Sequence, residues 1–137
     1  MIVKTEAELI DFGREIGQNL SAPKIIELVG DVGAGKTTFT RGLAEGLGVE
    51  EPVTSPSFTI KKTYTTKNGG YLAHYDFYRL KDPGLMSEDL AESINDENTI
   101  TVIEWGKSVE NLLPPSHLIF TITFNSDGTR TIEEGTE

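Results

Sequence analysis

Eight consecutive residues, Gly30-Asp31-Val32-Gly33-Ala34-Gly35-Lys36-Thr37, fit the pattern G-x-x-x-x-G-K-[ST], and no other stretch constrains the fold as tightly. Such a phosphate-binding loop works only between a strand and a helix. Its glycines let backbone N–H groups turn inward, the lysine reaches β/γ oxygens, and the hydroxyl serves Mg²⁺. Both flanks agree. The apolar run Ile25-Ile26-Glu27-Leu28-Val29 leads in as a strand. Phe39, Leu43 and Leu47 then recur at i, i+4 and i+8 along one helical stripe that Gly48 ends. The helix N-terminus thereby faces the anion with unpaired N–H groups and a partial positive charge. The expected ligand is a nucleoside triphosphate, held through Asp31, Val32, Gly33, Ala34, Gly35, Lys36, Thr37 and Thr38.

The chain has 137 residues, room for one compact α/β unit but not for a substantial second domain. That unit is expected over residues 1–133, with 134–137 a disordered tail. Twelve basic against 22 acidic residues give a net charge of −10, so stand-alone nucleic-acid binding is not expected from a surface that repels a polyanion. Cysteine is absent, which removes disulfides, thiolate metal sites and cysteine nucleophiles together. The N-terminus lacks a basic segment followed by an apolar one, and no apolar run approaches membrane-spanning length. A cytoplasmic location without membrane contact is expected.

Thr5-Glu6-Ala7-Glu8 reads as a capping box, with Leu9, Phe12, Ile16 and Leu20 continuing a helix to about Leu20. Val49 to Ser57, with two prolines, reads as a loop. Phe58 to Tyr64 alternates, and across Thr66-Lys67-Asn68-Gly69-Gly70 a second alternating run starts at Tyr71, a β-hairpin. Asp82 and Pro83 suit the N-cap and N1 positions of a further helix. Thr99 to Ile103 reads as a buried strand, and Val109 to Leu113 as a short helical piece before Pro114-Pro115. Leu118 to Phe124 pairs through Ser126-Asp127-Gly128 with Thr129 to Ile132.

Hydrolysis needs an acid at the end of another strand to hold Mg²⁺ or its waters. Glu104, closing Ile100-Thr101-Val102-Ile103, has the position of a Walker B carboxylate; its alternative is a solvated strand-end residue. Asp76, in Tyr75-Asp76-Phe77-Tyr78-Arg79, either orders magnesium-bound water or pairs with Arg79. Thr54-Ser55-Pro56-Ser57 is placed as a γ-phosphate switch, or is a plain turn. Trp105 stacks on a base or partner, or packs. His74 and His117 show no metal-ligand spacing, and Arg130 reaches the nucleotide only if the last hairpin folds back over the loop.

Neither N-K-x-D nor D-x-x-G occurs, which disfavours a GTPase, and the four scattered arginines Arg14, Arg41, Arg79 and Arg130 do not form a kinase lid. Four blocks, Gly30 to Gly42, Val53 to Phe58, His74 to Leu80 and Val102 to Trp105, resemble the signature blocks of the TsaE family, the bacterial tRNA threonylcarbamoyladenosine biosynthesis ATPases. The resemblance covers nearly the whole chain, in order. It implies a small single-domain P-loop NTPase fold with an atypical mixed, mainly parallel sheet flanked by helices and β-hairpins. It also implies Mg²⁺-dependent ATP hydrolysis in support of the TsaB and TsaD proteins, which place threonylcarbamoyl on the adenosine beside the tRNA anticodon, with tRNA met only through the complex. Carried over by motif, Lys36 grips phosphate, Thr37 and Glu104 serve magnesium, Asp76 belongs to the hydrolytic site, and Arg130 lies near the nucleotide. Thr5 and Glu6 border the nucleoside. Ser57 stands where the family usually has threonine, and Lys107 where an acidic or polar residue is common. A small-molecule kinase and an ATP-sensing module without turnover are the alternatives.

Overall fold

The structure, a computed structural model, describes residues 1–56, 60–78, 84–115 and 117–136, apart from the side chains of Leu85 and Ser108. Two strand residues, β1 (Ile2–Val3), lead into α1 (Glu6–Gln18). Thr5 caps that helix, its hydroxyl accepting the Glu8 N–H at 3.1 Å. The return arm of the capping box lands one residue early, because the Glu8 carboxylate takes the Lys4 N–H at 3.3 Å. Asn19 closes the helix, just short of the expected Leu20.

The strand β2 (Lys24–Val29) and the helix α2 (Lys36–Gly46) flank the glycine-rich loop as the sequence predicts. The expected hairpin is β3 (Lys61–Thr65) with β4 (Tyr71–Asp76), paired antiparallel from Lys61 opposite Tyr75 to Thr65 opposite Tyr71. A helix α3 (Gly84–Asn95) precedes the wholly buried β5 (Thr99–Glu104), and a 3₁₀ helix (Gly106–Leu112) follows it. The closing hairpin is β6 (Leu118–Phe124) with β7 (Arg130–Thr136). Asp82 and Pro83, the predicted cap of α3, lie outside the described residues, as do Ser57, Phe58 and Arg79.

One seven-stranded sheet results, in the order β1-β7-β6-β2-β5-β4-β3. Its four central strands are mutually parallel and its margins antiparallel, so the six ladders divide into three of each kind. The disordered tail expected over residues 134–137 is instead strand as far as Thr136. Glu134, Gly135 and Thr136 continue β7, facing Phe120, Ile119 and Leu118 of β6. The backbone ladder holds this stretch although its polar composition carries no alternating pattern.

Alternation along the strands builds two cores. Ile26, Leu28, Leu72, Ile100, Val102, Phe120 and Ile122 face α1 and α2, where Phe12, Phe39 and Phe120 meet with ring centroids 5.2–6.1 Å apart. Ala73, Tyr75 and Ile103 face the other side, against Leu90 of α3 and Val109 of the 3₁₀ helix. The two helices on the first face touch through their backbones. A Cβ at Gly13 or Gly17 would stand 2.5 or 2.4 Å from the carbonyl oxygens of Phe39 and Leu43. One at Gly42 or Gly46 would stand 2.2 or 2.3 Å from those of Ile10 and Arg14. Contacts advance together along both helices, so α1 and α2 run in the same direction and bring both N-termini to one end of the sheet. Among the described residues, no helix is long and apolar enough to cross a membrane.

Candidate active site

Because β2, β4 and β5 are parallel, their C-terminal ends open on the same side, where an α/β sheet collects ligands. A cleft of about 480 Å³ lies there. Gly33 (φ +83°) and Gly35 (φ +116°) give the loop its curl, and a side chain at Gly35 would also strike Leu9 and Arg130. The Gly35 carbonyl takes the Phe39 N–H at 2.9 Å, so the loop passes directly into α2.

Lys36 is the buried cation of the cleft, 6% exposed. Its ammonium donates to the carbonyls of Gly30 (2.5 Å) and Asp31 (3.0 Å) and lies 4.4 Å from the Trp105 ring centroid. Burial pushes the ammonium below the usual lysine range, against the opposing pull of the Glu104, Asp76 and Asp31 carboxylates.

Glu104 and Asp76 are paired across adjacent parallel strands, both buried and both lining the cleft. The Asp76 carboxylate accepts the Tyr78 N–H at 2.9 Å, which turns the chain at the end of β4. Glu104 contacts the His74 ring nitrogen Nε2 through its Oε2 at 2.5 Å. Directly after it, Trp105 adopts a left-handed backbone (φ 57°), a cost of about 1–2 kcal/mol for a bulky residue, and lays its indole against Tyr78 at 4.7 Å between centroids. Trp105 thus forms a wall of the cleft together with Tyr78.

The last hairpin does fold back over the loop. Arg130 donates through Nε to the Ala34 carbonyl at 2.8 Å and lines the cleft. Thr38 donates to Glu6 at 3.2 Å, tying α2 to the start of α1. Of the residues expected at the nucleotide, Glu6, Val32, Gly33, Gly35, Lys36, Thr37, Thr38, Asp76, Glu104 and Arg130 line this cleft. Thr5, Asp31 and Ala34 do not: Thr5 caps α1, and Asp31 and Ala34 line a separate hollow behind the loop, beside Thr121 to Phe124. Ser55 joins the cleft from the proposed switch segment, while Thr54 accepts a hydrogen bond from Lys62 at 2.5 Å. Sequence reasoning passed over Tyr78 as a wall and His74 as the partner of Glu104. His117 is likewise paired, with Glu27 at 2.9 Å, and neither residue lines the cleft. Among the described residues, no group of three or more His, Cys, Asp or Glu is placed to hold a metal ion.

Residues 3–132 match the family model described as threonylcarbamoyl adenosine biosynthesis protein TsaE. The tRNA threonylcarbamoyladenosine biosynthesis protein TsaE of Streptomyces coelicolor is 42% identical over 104 residues, covering 74% of this chain and 70% of that protein. The protein of the same description from Haemophilus influenzae is 32% identical over 136 residues, 96% of this chain and 85% of its own. Among solved structures, the crystal structure of Bacillus subtilis YdiB has a TM-score of 0.80 and 31% identity, spanning 99% of this chain and 82% of that one. With a family model over nearly its full length and relatives above 30% identity, the chain belongs to the TsaE family of threonylcarbamoyl adenosine biosynthesis proteins.

Proposed function

We propose that this TsaE-family protein is a P-loop ATPase that binds Mg-ATP in the cleft at the C-terminal ends of β2, β4 and β5 and hydrolyses it to ADP and phosphate. The carrying observation is the buried Lys36 ammonium, held by two loop carbonyls beside two buried carboxylates at neighbouring strand ends. A buried lysine whose direct hydrogen bonds go only to carbonyls is poised for polyphosphate, and the donor set suits a hard cation: carboxylate and hydroxyl oxygen, no sulfur.

Thr37 and Glu104 would hold Mg²⁺, directly or through water, while the loop N–H groups and Lys36 hold the β- and γ-phosphates. When bound, Mg²⁺ neutralises charge that builds on the phosphate oxygens. Asp76 orients the attacking water and accepts its proton, with Glu104 as its neighbour across the strands. Arg130, anchored on the Ala34 carbonyl, adds positive charge above the loop, and Glu6 borders the nucleoside from the N-terminus of α1. Trp105 and Tyr78 wall one side of the cleft and limit water there.

Membership of the family supports the biological setting proposed here: ATP turnover assists the TsaB and TsaD proteins in the cytoplasm, and tRNA is met only through that complex. The net charge of −10 supports this division of labour, since such a surface does not grip a polyanion unaided. Phosphate release measured with and without TsaB and TsaD tests the proposal. Stimulated release is expected. ADP formation that depends on a small-molecule acceptor would identify a kinase, and ATP binding without phosphate release would identify a sensing module.

A further inference from the structure

The imidazole of His74 is completely buried, and its position follows from strand register. His74 lies two residues before Asp76 on β4, hence on the same face, opposite Val102 of β5. Glu104 is two residues beyond Val102 on that face, a diagonal neighbour within reach of a long side chain. The contact at 2.5 Å joins Nε2 to Oε2. A carboxylate accepts, so Nε2 carries the proton and donates. Nδ1 is buried without a partner among the described residues, a place that suits a bare lone pair far better than an orphaned N–H. His74 is therefore dedicated to one contact. It fixes one oxygen of Glu104, and the other, Oε1, makes no hydrogen bond to a described residue while Glu104 lines the cleft.

We propose that His74 is the positioning residue for Glu104: by donating from Nε2 it locks the carboxylate in a single orientation and leaves Oε1 as the oxygen offered to Mg²⁺ or its water. A glutamate has three side-chain torsions, and a carboxylate at a strand end without such a lock would sample several orientations. Partners of this kind behind a metal-binding carboxylate typically matter by about 10- to 100-fold when removed. The inference rests on the reading of the cleft as a Mg-ATP site.

The full chain is compared with His74→Leu, which removes the donor at similar volume, and His74→Gln, whose amide Nε2 stands the same number of bonds from Cβ. With TsaB and TsaD present, His74→Leu should hydrolyse ATP about tenfold or more slowly and need about tenfold more Mg²⁺ for half-maximal rate. Its ATP affinity in EDTA should stay within about threefold of wild type, and His74→Gln should recover most of the loss. Independently of turnover, ¹⁵N NMR of the imidazole should show a protonated Nε2 whose signal moves when Mg²⁺ is added to the ADP-loaded protein, and does not move in Glu104→Gln. Wild-type rate and Mg²⁺ requirement in His74→Leu would overturn the inference. So would equal losses in both variants with EDTA affinity falling in parallel, the sign of a purely structural residue, or an Nε2 signal indifferent to Mg²⁺. Should His74→Leu fail to fold, His74→Gln and the NMR decide. Wild-type protein that neither binds nor hydrolyses Mg-ATP would overturn the reading of the cleft itself and the inference with it, whereas normal wild-type turnover beside a silent His74→Leu overturns the inference alone.

Discussion

Arg130 and Ala34 are 96 residues apart in sequence, yet the arginine Nε donates to the alanine carbonyl at 2.8 Å. The bond fastens the last hairpin to the phosphate-binding loop. Charge-assisted bonds of this type contribute about 1.5–3 kcal/mol. Arg130→Ala is expected to weaken ATP binding by about 10-fold or more, through lost positive charge and a loosened loop. Calorimetric titration with ATP checks it, and an unchanged affinity would place Arg130 outside the nucleotide's reach.

Lys36→Ala should reduce Mg-ATP affinity by at least about 100-fold, the loss of a buried charge-assisted contact to phosphate. The wild-type lysine also predicts a pH signature. Burial lowers its folded value below the usual lysine range, so the charged form is penalised in the empty protein at every pH below that value, and the penalty is relieved as pH rises through it. Bound phosphate favours the charged form again. ATP binding should therefore take up a proton in the alkaline window between the empty and the bound values. Titrations in buffers of different ionisation enthalpy measure that uptake, and it should vanish in Lys36→Ala.

Glu104→Gln should keep ATP affinity within about tenfold and remove most hydrolysis, because a strand-end carboxylate acts chiefly on the metal and on charge developing in the transition state. Glutamine retains an oxygen for the His74 Nε2–H, which separates loss of charge from loss of packing. Asp76→Ala should act in the same direction. Partner-stimulated phosphate release reads both, and wild-type rates in the Glu104 variant would move its role elsewhere.

Gly42→Ala tests the helix contact. Alanine favours an isolated helix by about 1 kcal/mol, but here its Cβ would lie 2.2 Å from the Ile10 carbonyl oxygen, a backbone atom with no room to yield. The melting temperature should fall by several degrees, whereas Gly135→Ala, where a new Cβ meets nothing within 4 Å, should leave it nearly unchanged. Thermal unfolding followed by circular dichroism distinguishes the two.

Local chemistry was readable wherever one segment determines it. The glycine-rich loop, the Thr5 cap, the Ser126 to Gly128 turn and the strand that ends in Glu104 all carry their cause within a few residues. Relations between segments were not. That His74 serves Glu104 depends on β4 lying beside β5, parallel and in a register that sets His74 against Val102. The folding of Arg130 onto Ala34 depends on the hairpin of β6 and β7 lying beside β2, next to the loop that β2 leads into, and the sequence could state it only as a condition. Glu134 to Thr136 join a strand because β6 offers free backbone groups there, a cause located in another part of the chain. The glycines at 13, 17, 42 and 46 look like ordinary helix-weakening residues until the two helices are brought together.

Those four glycines also decide how the molecule can respond to its ligand. Side chains between two helices act as a cushion, since rotamers can change while the axes slide or tilt; backbone against backbone leaves no such soft direction. The phosphate loop, α2 and α1 consequently form one stiff block, and Glu6 meets Thr38 at its tip. On the proposed reading of the cleft as an ATP site, a difference of one phosphate between ATP and ADP would not be expressed by pivoting this block. It has to be expressed by parts that rest against it from outside: the segment bearing Ser55, the turn at Trp105 and Tyr78, and the Arg130 hairpin. Those are the surfaces on which a partner protein would read the nucleotide.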